Sequence, residues 1–61
     1  MRATENEIKI AERRIAEAEE RRSYFAKQFE ETGKKLYAKM AESETDAISE
    51  IRQAIIEALV F

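Results

Sequence analysis

The sequence predicts an all-α fold, an antiparallel two-helix hairpin of coiled-coil type, and three observations carry that expectation. The chain has no proline and one glycine among 61 residues. On both sides of that glycine, apolar residues recur at alternating steps of three and four, the spacing of a helical seam that faces a partner helix. Folded at the glycine, the two seams set small residues against large ones, and their two charged exceptions, Arg22 and Glu44, fall opposite each other.

The first helix is expected over about residues 4–31. Its start is marked by Thr4-Glu5-Asn6-Glu7, a capping box in which the threonine hydroxyl covers an orphan backbone N–H and the glutamate reaches back to the cap. Alanine, glutamate, lysine and arginine then supply helix propensity, and the seam runs Ile8, Ala11, Ile15, Ala18, Arg22, Phe25, Phe29. A turn is expected around residues 32–34, because Gly33 takes the left-handed conformation of a helix C-cap without a Cβ penalty.

The second helix is expected over about residues 35–60, with its seam at Tyr37, Ala41, Glu44, Ile48, Ile51, Ile55 and Ala58. Antiparallel pairing brings Phe29 near Tyr37, Phe25 near Ala41, Ala18 near Ile48, Ile15 near Ile51, Ala11 near Ile55 and Ile8 near Ala58. Alanine mostly faces a larger residue, so the layers interdigitate. Arg22 and Glu44 are expected to form a register ion pair, since a polar group in a seam fixes pairing at some cost in stability. A three-helix bundle is the alternative, because Ser43-Glu44-Thr45-Asp46 also reads as a helix start. It would leave a middle helix of about nine residues, short for a packing element. One long helix in a coiled coil is a third arrangement.

Composition removes whole classes of chemistry. Cysteine and histidine are absent, which excludes disulfides, zinc sites of the Cys/His type and nucleophile–base pairs built on either residue. Glu12, Glu19 and Glu20 are a weak metal candidate, because di-metal helical bundles combine inward glutamates with Glu-x-x-His. Spacings such as Glu17 to Arg21 and Glu31 to Lys35 read better as i,i+4 support on a solvated face. The expectation is therefore a protein that is not an enzyme and has no catalytic residue, cofactor or metal. The longest nearly apolar run, Ala54 to Phe61 broken by Glu57, is far short of the ~20 residues that span a bilayer. A water-soluble chain is expected, and with no secretory leader pattern an intracellular origin is the working assumption.

A chain of this size buries only about 60% of its unfolded surface, and small scaffolds compensate with disulfides, metals or association. Association is what the composition leaves. Ile56, Leu59, Val60 and Phe61 lie off the seam and make the last turns apolar on nearly every side, a pattern that calls for a cover. Charge is polarised as well: residues 21–40 carry six basic side chains against two acidic, whereas residues 1–20 and 41–61 together carry five basic against eleven acidic.

These features predict a structural or protein-interaction module, self-associating as an antiparallel homodimer. In that four-helix bundle Ile56, Leu59, Val60 and Phe61 of one chain approach Tyr24, Leu36 and Met40 of the other. Two alternatives belong to other classes. The basic turn half with its interleaved aromatics could bind RNA, although Glu30 and Glu31 interrupt the patch and the net charge is −2. The C-terminal helix could dock in the groove of another helical protein. The regular isoleucine and alanine layers suit a designed bundle, while the irregular Ser23–Phe29 stretch suits a natural one.

Overall fold

The computed structural model describes residues 4–60, and within them the chain forms two helices, α1 (Glu5–Thr32) and α2 (Lys35–Val60), packed against each other as a hairpin. The chain reverses at Gly33-Lys34, and the folded hairpin measures 46 × 16 × 10 Å.

The start of α1 follows from its first four residues. Thr4 is extended at φ −74°, ψ 160°, and its hydroxyl accepts from the Glu7 N–H at 3.2 Å. The Glu7 carboxylate in turn accepts from the Thr4 N–H at 3.1 Å and from the Thr4 hydroxyl at 3.0 Å, which completes the capping box and covers orphan donors of the first turn. Those two hydrogen bonds, that from the backbone N–H first, hold the Glu7 carboxyl below the usual glutamate range.

Gly33 ends α1 at φ 70°, ψ 8°, and its N–H donates to the Phe29 carbonyl at 2.7 Å. Thr32 reinforces the reversal. Its hydroxyl donates to the Gln28 carbonyl at 2.7 Å and accepts from the Lys34 N–H at 3.2 Å, so one side chain ties the last turn of α1 to an N–H of the connection. Neither helix has complementary charge at this end within itself: the last turn of α1 has no basic residue and the first turn of α2 no acidic one. The connection supplies it, because Lys34 and Lys35 follow the carboxyl end of α1 while Glu30 and Glu31 precede the amino end of α2.

The expected seams are the faces that pack. Ala18 and Ile48, predicted as opposite members of one layer, are the two buried residues among those described, at 1% and 3% exposure. Every other seam position is half-buried except Phe29, which lies 39% exposed where the hairpin ends. The Phe25 ring stacks on Tyr37 at 6.4 Å and meets Tyr24 edge-on at 5.5 Å, so Phe25 reaches one layer further toward the turn than a partnership with Ala41 alone implies.

The three-helix alternative is not what the chain adopts, since α2 runs unbroken through Ser43-Glu44-Thr45-Asp46. Thr45 sends its hydroxyl to the Ala41 carbonyl four residues back at 3.2 Å, the bond of a residue inside a helix. A capping signature there is overridden because Ala41, Glu44 and Ile48 keep the same face turned to α1.

Candidate functional site

With no catalytic constellation expected, the candidate site is the surface left uncovered by the pairing of α1 and α2. Two features tell the flanks of the hairpin apart. On one, Arg52 donates to Glu19 across the helices at 3.1 Å. On the other, near the open end, lies a groove of about 370 Å³. Ile8, Ile10 and Ala11 of α1 and Ile51, Ala54, Ile55 and Ala58 of α2 line it, with Glu7 and Arg14 also bordering it. Three of the nine lining residues are alanines, and their missing side-chain volume leaves the space open.

Positions seven apart share a helix face when the facing seam repeats every seven residues, so the rest of the surface can be assigned. Tyr24 follows Ile10 by fourteen residues and belongs to the groove flank. Met40, Ala47 and Ala54 are spaced by seven, which puts Met40 there too, and Leu36, four residues before Met40, lies beside it. Leu59 follows Arg52 by seven and Ile56 follows it by four, which puts both on the ion-pair flank, while Val60 faces away from α1.

The six predicted interface residues within the described region are all exposed: Tyr24 57%, Leu36 63%, Met40 37%, Ile56 54%, Leu59 52% and Val60 66%. Phe61 lies outside the described residues. The structure gathers Tyr24, Leu36 and Met40 on one flank and turns Ile56 and Leu59 to the other, so the set does not form one continuous patch. Ile10, 50% exposed, and the groove with Ala54 were missed by reading the seam alone. Their signal was the fourteen-residue step from Ile10 to Tyr24 and the seven-residue series Met40, Ala47, Ala54.

The expected register ion pair needs correction. Glu44 is held by Arg21, whose Nε donates to Oε1 at 3.0 Å, and Arg22 makes no ion pair among the described residues. The Arg21 side chain is 53% exposed and that of Glu44 18%. An arginine on the flank meets the carboxylate while staying in water, whereas Arg22 would place both charges inside the seam, where desolvation opposes them.

Among the described residues no group of three or more acidic side chains is arranged to hold a metal ion, and no helix is long and apolar enough to cross a membrane. Comparison with protein-family models, curated proteins and solved structures found no match to this chain.

Proposed function

We propose that the hairpin is a structural or protein-interaction module acting through helix–helix association, with a second copy of itself, aligned antiparallel in a four-helix bundle, as its partner. One observation carries this reading: among the described residues folding buries only Ala18 and Ile48, while Ile10, Tyr24, Leu36, Met40, Ile56, Leu59 and Val60 stay exposed. The folded chain exposes 5053 Å², against about 4,100 Å² for a compact monomer of its mass. A bundle of four helices would enclose the apolar side chains of the flank on which the second copy packs, giving them the core that two helices lack.

The direction of alignment rests on charge. The turn half is net positive and the open half net negative, so copies set turn to turn repel and copies set turn to open end attract. Sedimentation equilibrium from micromolar to millimolar concentration tests the reading. A dimer is expected, and a species that stays monomeric and fully helical throughout would overturn it. Added salt should weaken the orientation preference more than the association, because screening acts on exposed charges while apolar burial persists.

A further inference from the structure

We infer that the groove flank, and not the C-terminal apolar turns, is the surface on which the second copy docks, with its Tyr24 and Met40 entering the open-end groove. This deepens the self-association reading and rests on it. The flank is uneven in relief in a way that suits its own reverse. Its turn half carries large exposed side chains, Tyr24 and Met40, and its open half carries the hollow of about 370 Å³. A copy laid over it in reverse sets projections on a hollow twice, as closed twofold symmetry requires.

The levels along the helices agree with this placement. A twofold axis crossing α1 at Glu17 carries Tyr24 of one copy to the level of Ile10 in the other, since each lies seven residues from that point. Ala18 and Ile48 share a buried layer, and in that register the level of Glu17 corresponds on α2 to about residue 49. Met40 then falls at the level of Ala58, inside the span of the groove lining. The same reversal sets the net positive turn half over the net negative open half. A face of 46 by 16 Å also matches the scale of a standard interface, about 800 Å² per partner. Each flank carries a cross-helix ion pair, Arg21–Glu44 on the groove side and Arg52–Glu19 on the other, but the opposite flank is the poorer match because its apolar residues, Ile56 and Leu59, cluster at one end.

The chain has no native cysteine, so disulfide trapping reports the contact directly. Protein carrying Ile10→Cys is mixed with protein carrying Tyr24→Cys and oxidised; the geometric counterpart on the other flank, Lys9→Cys with Ser23→Cys, is run in parallel. Predominant mixed disulfide between positions 10 and 24, with little between 9 and 23, is the expected result. Predominant cross-linking between 9 and 23 in a protein that sediments as a dimer would overturn the groove assignment and leave self-association standing. Homodisulfides alone at 10 and at 24 would indicate turn-to-turn alignment and overturn it as well. Sedimentation as a folded monomer would remove the self-association reading itself. In a cysteine-free background, Tyr24→Ala should weaken dimerisation by tenfold or more and Ile56→Ala by less than threefold; the reverse order would contradict the assignment.

Discussion

Single residues decide how the hairpin closes, and Gly33 is the most consequential. A Cβ built on it meets nothing within 4 Å, so space is not what the position demands. Its φ of 70° is, because an L side chain in the left-handed region costs about 1–2 kcal/mol. Gly33→Ala should therefore lower stability by about 1 kcal/mol in urea unfolding. D-alanine introduced by synthesis should raise it, since it favours positive φ and restricts the unfolded chain. A second prediction concerns the cross-helix ion pair. A double-mutant cycle on Arg21 and Glu44 should give a coupling of about 0.5–1 kcal/mol, while the same cycle on Arg22 and Glu44 should give a value near zero. Glu7 sets an acid limit: its folded-state pKa is lowered, so its stabilisation is complete above the ordinary glutamate range and lost as pH falls through the lowered value. Glu7→Gln should flatten that part of a helicity-against-pH curve in circular dichroism, and an unchanged acid slope would contradict the role.

At the scale of elements, α2 offers the clearest contest between local and non-local signals. Ser43 sits in the interior of a continuous helix, where alanine is the better residue by a few tenths of a kcal/mol. Ser43→Ala should be neutral or slightly stabilising, whereas loss of a true N-cap would cost about 1 kcal/mol; thermal unfolding separates the two. Both helices, the turn and the Thr4 cap were legible in the sequence because each is specified within a few residues by propensity, capping chemistry or the freedom of one glycine. The seam was legible because its repeat extends over both helices, so that the repeat alone pairs Ala18 with Ile48. The partner of Glu44 was not legible, because Arg21 and Arg22 differ by one step around the helix and the choice turns on which guanidinium stays hydrated. The flanks were also hidden. The seam fixes which residues face inward, but the sides to which Tyr24 and Leu59 turn follow only from the full repeat and the pairing of both helices.

For the molecule as a whole, the central claim is that the hairpin is half of a core, completed by a second copy. Thermal unfolding followed across a thousandfold range of protein concentration tests it most directly, because a folded state that is a dimer gains stability with concentration by mass action and a folded monomer does not. The midpoint should rise by about 5 °C per tenfold increase in concentration, given the unfolding entropy of a dimer of this size. A midpoint that stays constant over that range, with helicity at its full value before the transition, would contradict it.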